Sequence, residues 1–145
     1  STATIARDIE AEDTAAIKIK WGSGTIGTLA VTMLTFPKNL EGSITILGEN
    51  GTVKIGGTAV NKIEKWEFRD KNEYDIEVER CSYENSNVYG KGHFPYYENM
   101  ISCLNGEQKA MCRGEDGLKS LELLEASYKS AIEERVIKLP LKINT

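Results

Sequence analysis

From Asp116 to Glu134 apolar residues recur at steps of three and four. Leu121, Leu124, Tyr128 and Ala131 form the stripe and Leu118, Leu123 and Ile132 widen it, while Lys119, Glu122, Glu125, Lys129 and Glu133 lie opposite. That spacing predicts an amphipathic helix, about 28 Å long at 1.5 Å per residue. Such a helix is stabilised mainly by what it packs on, so the rest of the chain must supply a surface. Glu115 and Asp116 suit the positive end of its dipole and Arg135 the negative end. A first helix is predicted to begin at His93, with Pro95 in the opening turn, where a missing amide hydrogen costs nothing. Phe94, Tyr97, Ile101 and Leu104 share its face, Tyr96, Met100 and Cys103 broaden the side expected to be buried, and Gly106 stands where a left-handed residue ends a helix. The stretch Val88–Pro140 thus reads as the lid of a strand-rich first half.

The strands follow from period-two alternation and turn residues. Ser1–Ile9 reads as a weak strand, and Asp13–Trp21 as a half-buried one with Ala15, Ile17, Ile19 and Trp21 on one side. Gly22-Ser23-Gly24 turns the chain into Thr25–Thr35, which is apolar on both sides. Such a strand is either central in a covered sheet or covered by another subunit. Ser43–Leu47 and Thr52–Ile55 flank an Asn50-Gly51 hairpin signal, and Ile63–Arg69 offers a further strand with Trp66 and Phe68 aligned. Ile76 and Val78 suggest a short edge strand, and Val136–Leu139 a closing one. Strands followed by helices imply an α+β domain: an open, largely antiparallel mixed sheet with helices on one face and the other face used for oligomerisation.

All 145 residues fit one domain with an ordinary core. A net charge of −4 without blocks of like charge argues against nucleic acid as a partner. No apolar run approaches the ~20 residues of a membrane span. Ser1 does not follow a secretion-signal pattern and reads as a continuation of something upstream, so a cytoplasmic setting is expected. Cys81, Cys103 and Cys112 form no CxxC pair and are expected to be reduced, structural thiols. One histidine and scattered cysteines lack the spacing of a zinc site.

Chemistry has few places to sit. No G-x-G-x-x-G in a strand-to-helix context and no serine or cysteine triad is present. In Tyr89-Gly90-Lys91-Gly92-His93 the glycines let backbone approach a ligand just before a helix with free amides, so Tyr89, Lys91 and His93 could surround a phosphate or a sugar. The plainer alternative makes His93 a helix cap and the glycines a turn. Lys38, Asn39 and Glu41, on a loop leaving a long strand, could touch a ligand or be ordinary solvated residues. The Tyr96-Tyr97 pair and Trp66 read first as packing.

These residues carry a resemblance. Val88-Tyr89-Gly90-Lys91-Gly92-His93, Tyr96-Tyr97, Leu104-Asn105-Gly106, Gly114–Leu123 and Tyr128–Ala131, with Glu12–Ala15, Phe36-Pro37 and Leu47–Val53, resemble the C-terminal domain of the Gfo/Idh/MocA oxidoreductases over nearly the whole chain. Pro37-x-Asn39-x-Glu41 and Asn61-Lys62-Ile63 with Trp66 and Phe68 are similar to the branch that oxidises the 3-hydroxyl of UDP-N-acetylglucosaminuronic acid. The resemblance implies a substrate-binding and oligomerisation domain spanning residues 1–145. Its NAD or NADP would sit in an N-terminal Rossmann domain that this chain does not contain, so the chain would bind no cofactor and catalyse nothing alone. It also implies a sugar-nucleotide substrate bordered by Lys38, Asn39, Tyr89, Lys91, His93 and Tyr97, and a homodimer or homotetramer. A second hypothesis is a non-catalytic binding or scaffolding module that keeps the fold.

Overall fold

The computed structural model describes residues 1–85 and 89–141. It divides the chain into two units, Ser1–Thr35 with Ala110–Thr145 and Phe36–Lys109. Each contains a three-stranded antiparallel sheet and helical segments, so the α+β class and the antiparallel pairing expected from the sequence are observed.

In the first unit β1 (Thr2–Thr4), β2 (Thr14–Lys20) and β3 (Ile26–Thr32) lie in that order. Register pairs Ile17 with Leu29 and Ile19 with Gly27, and Trp21 lies over Gly27, whose missing side chain makes room for the indole. Gly24 closes the β2–β3 turn in a left-handed conformation, φ 94°. The predicted Ser1–Ile9 strand stops at Thr4 because the amides of Ala6 and Arg7 turn inward to the Asp13 carboxylate, at 2.7 and 2.8 Å. Asp13 is 2% exposed and fastens all three strands: its N–H donates to Thr4 and its carbonyl accepts from Met33. Its pKa is held below the ordinary 3.8, chiefly by the Ala6 N–H, against the opposing cost of burial, with Arg7 and Thr14 adding to the lowering.

Helix α3 (Gly114–Glu133) begins where the Asp116 carboxylate accepts the Arg113 N–H at 3.1 Å. It ends at Glu134, whose φ is 50°. Its seated side consists of Leu123, Ala126, Ser127 and Ser130, and Ser1 reaches both serines, bonding the Ser127 carbonyl and the Ser130 hydroxyl. Of the stripe that predicted the helix, Leu121, Leu124 and Tyr128 are instead exposed, as are Leu118 and Ile132 beside it, while Ala131 and Leu123 are half-buried. Val136–Leu139 is not a strand. Nearby backbone groups are taken by side chains of α3, since Ser130 donates to the Arg135 carbonyl and the Leu141 N–H donates to Glu122.

In the second unit β4 (Ile44–Leu47), β5 (Gly51–Gly56) and β6 (Lys62–Phe68) form the other sheet. Gly51 lies under Phe68, which meets Trp66 edge-on at 5.2 Å. The edge strand expected at Ile76 and Val78 is a short helix, α1 (Asp75–Val78), followed by a turn of tighter helix at Glu79–Cys81. Asp75 accounts for the change: its carboxylate accepts the Asn72 amide and the Trp66 indole N–H, fixing a helical start. Helix α2 (His93–Leu104) starts at the predicted residue and ends at Gly106, φ 76°, with Gly106 and Glu107 donating back to Cys103 and Ser102. Its predicted apolar face, Phe94, Tyr97, Ile101 and Leu104, is exposed, as are Tyr96 and Met100. The buried residue is Asn99, 8% exposed, which donates to Gln108 and to the Lys109 carbonyl.

Candidate functional site

The candidate site grows from the turn between β5 and β6. Gly57 (φ 86°) and Val60 (φ 53°) both adopt left-handed backbone, unusual for a β-branched residue. What holds them is Asn61, 3% exposed, whose side-chain oxygen accepts the Ala59 N–H while its amide donates to the Tyr83 carbonyl. The Tyr83 N–H returns a bond to the Asn61 carbonyl at 3.0 Å. On either side of Tyr83, Ser82 accepts the Ile63 N–H and Glu84 pairs with Lys62. The segment Ser82–Glu84 is therefore stitched along Asn61–Ile63 by side-chain and main-chain bonds together.

Next to this seam runs Tyr89-Gly90-Lys91-Gly92-His93. Gly90 is left-handed (φ 66°), and a Cβ there would stand 2.9 Å from the Tyr83 hydroxyl. The Lys91 ammonium lies 5.0 Å from the centre of the Tyr83 ring. Gly92 caps α2 and His93 is its first residue, without a side-chain cap bond, which corrects the reading of His93 as the cap. Tyr89 and His93 rings meet at 6.3 Å, and Tyr97, one turn further on, meets Tyr96 edge-on at 5.6 Å. The tyrosine pair, expected in the core, is exposed.

Four of the six predicted residues, Tyr89, Lys91, His93 and Tyr97, thus share one turn and the first turns of one helix. Val88, which opens the quoted motif, lies outside the described residues. Lys38 and Asn39 stand apart on an exposed loop. The far end of that loop, Gly42, donates to the Gly57 carbonyl at 2.8 Å and so joins the same Gly57–Asn61 turn. Sequence reasoning missed Tyr83 altogether and took Asn61 only as a family signature. The two tyrosines of the polar Asp70–Asn87 stretch, Tyr74 and Tyr83, were the available signal, and nothing in the sequence chose between them. Chemically, the segment offers one cation, free amides at a helix start and aromatic faces, a set suited to an anionic, ring-bearing ligand.

The family model described as "Oxidoreductase family, C-terminal alpha/beta domain" matches residues 2–139. The chain belongs to the Gfo/Idh/MocA oxidoreductase family. Two solved relatives are the WlbA dehydrogenases of Chromobacterium violaceum and Bordetella pertussis, each crystallised with NADH and UDP-GlcNAcA. Both are 51% identical to this Gfo/Idh/MocA domain, with TM-scores of 0.86 and 0.90 over 98% and 97% of its length. The chain spans about two fifths of each, 39% and 41%. Comparison with curated proteins finds no match.

Neither glycine cluster among the described residues has the strand-to-helix context of a dinucleotide-binding turn. Gly22–Gly24 joins two antiparallel strands, and the described residues before Gly90, Ser82–Asn85, are not a strand leading into a helix. Among the described residues there is also no cluster of metal-ligating side chains, and no helix long and apolar enough to cross a membrane.

Proposed function

We propose that this chain is the substrate-binding and oligomerisation domain of an NAD(P)-dependent dehydrogenase that oxidises the 3-hydroxyl of a UDP-N-acetyl-hexuronic acid such as UDP-GlcNAcA. The observation that carries the reading is the 51% identity, over nearly all of this chain, to two dehydrogenases holding that sugar nucleotide. Lys91 and the open amides at the start of α2 meet the substrate's anionic groups, and Tyr89, His93 and Tyr97 border its rings, with Lys38 and Asn39 on the neighbouring loop. The cofactor is NAD or NADP, bound by an N-terminal Rossmann domain of the intact protein, and hydride transfer depends on residues outside this chain. The three cysteines stand as free thiols, which fits a cytoplasmic enzyme.

Surface area supports the oligomerisation role. The chain exposes 12,495 Å². Two separate globules of half its mass would expose only about 9,000 Å² together. Much of the excess is apolar: β3, an edge strand, leaves Ile26, Leu29 and Val31 open, and α3 leaves its leucine stripe. A second copy of the chain covers such surface in the assembly. The decisive experiment is His93→Ala in the intact protein with UDP-GlcNAcA as substrate: KM or kcat changes if the site is right, and both stay at wild-type values if it is wrong. Light scattering on the chain checks the assembly, where a strictly monomeric, folded species contradicts it. Binding of UDP-GlcNAcA without turnover by the intact protein would favour the non-catalytic module instead.

A further inference from the structure

Tyr83 touches Lys91 at both ends. Its hydroxyl accepts the Lys91 backbone N–H at 3.3 Å, and its ring carries the ammonium at 5.0 Å from the centroid. The tyrosine is itself held, because its N–H and C=O are both bonded to Asn61. Gly90 bends around the hydroxyl with so little space that a single Cβ would stand 2.9 Å from it. The path of the segment and the direction of the lysine therefore depend on one aromatic side chain.

The choice of partner matters chemically. A carboxylate would orient an ammonium by neutralising it, whereas a ring face orients it and leaves both its charge and its outward N–H donors for a ligand. None of the ion pairs among the described residues involves Lys91. We infer that Tyr83, pinned by Asn61, is a positioning residue that aims an un-neutralised Lys91 ammonium at the anionic part of the sugar nucleotide. The inference rests on the site proposed above and adds to it a residue that does not touch the substrate.

The test is steady-state kinetics of the intact protein with saturating NAD and varied UDP-GlcNAcA, on Lys91→Ala, Tyr83→Leu, Tyr83→Phe and the double variants, with thermal unfolding as a check on folding. Lys91→Ala is expected to raise KM about tenfold, the scale of a lost charge-assisted contact. Tyr83→Leu, which loses ring and hydroxyl, raises KM about fivefold with kcat within about twofold, and Tyr83→Phe raises it about twofold. In the Lys91→Ala background neither tyrosine change raises KM further. If Lys91→Ala leaves KM unchanged, the site reading falls and takes this inference with it. If Lys91→Ala raises KM while folded tyrosine variants do not, or if they raise it equally with and without Lys91, the site stands and the positioning role is overturned. Should Tyr83→Leu fail to fold, Tyr83→Phe alone and with Lys91→Ala decides between the same outcomes.

Discussion

The two sheets are alike in size and pairing but are fastened by different chemistry. At the first, the Asp13 carboxylate is an acceptor only, and it gathers two amides and a hydroxyl around one buried charge. At the second, Asn61 both accepts and donates, so it can hold its own turn and a distant strand-like segment at once. An amide also cannot titrate. The charged anchor is the stronger and the more conditional; the neutral one is weaker, but it links the fold to the candidate site through Tyr83. Trp21 lies in one unit and Trp66 in the other, so single-tryptophan variants report on each separately.

The largest effect is expected from Asp13→Ala. It strands the amides of Ala6 and Arg7 at a site where Asp13 itself is almost wholly buried, and it loosens the connection between β1 and β2. Urea unfolding followed at Trp21 should lose more stability than for any other single change considered, with Trp66 affected less. A larger shift at Trp66 would mean that the charge anchors something other than its own sheet.

Asn61→Ala comes next, at about 2–3 kcal/mol, since the Ala59 N–H and the Tyr83 carbonyl both lose a partner. Here Trp66 carries the signal. KM for UDP-GlcNAcA should rise with it, because Tyr83 is released, whereas Asp13→Ala should leave KM near wild type once the protein is folded.

Acid separates the anchors further. The folded-state pKa of Asp13 lies below its ordinary 3.8, so its contribution is complete above that value and is lost as pH falls below it toward the lower folded value. Asp75 and Glu64 are lowered as well, chiefly by the Asn72 amide and by Lys54, so the total acid loss belongs to several groups. The discriminating measurement is a difference: Asp13→Asn should flatten the acid limb recorded at Trp21 and leave that at Trp66 as it was. An unchanged limb at Trp21 would remove Asp13 from the account.

The same contrast explains what could be read from sequence. Turn chemistry and periodicity located β2 to β6, α2 and α3 to within two or three residues, because each signal is local. Periodicity also said that Leu121, Leu124 and Tyr128 share a face, but not what covers it, and in this chain the seated face is the small one around Ala126. Val136–Leu139 has strand propensity but joins neither sheet, backbone groups on both sides of it being bonded to side chains of α3, and Asp75 turned an apparent strand into a helix through a bond to Trp66, nine residues away. Asp13, Asn61 and Asn99, the buried polar residues, were invisible as anchors because polar residues carry no periodic mark and their partners stand at no fixed spacing, from one residue away to twenty-two. At the candidate site, glycine spacing drew attention to Tyr89, Lys91 and His93 without deciding between a ligand site and a plain turn, while Tyr83 carried no such mark.

The smallest effects compare one glycine from each sheet. A Cβ at Gly51 would meet the Glu67 carbonyl at 2.7 Å and the Phe68 ring closer still, so main chain must move. A Cβ at Gly27 would meet only the far edge of the Trp21 ring, at 2.9 Å, and Trp21 is half exposed and able to swing away. Gly51→Ala is therefore expected to cost about 1–3 kcal/mol, the usual range for overpacking. Gly27→Ala should fall within about 0.5 kcal/mol of wild type, as surface changes do, while shifting Trp21 emission toward the red as the indole leaves the sheet. Equal costs at the two positions would mean that the Trp21 cover is as rigid as main chain. The first sheet would then owe its stability to that aromatic lid as well as to its buried carboxylate.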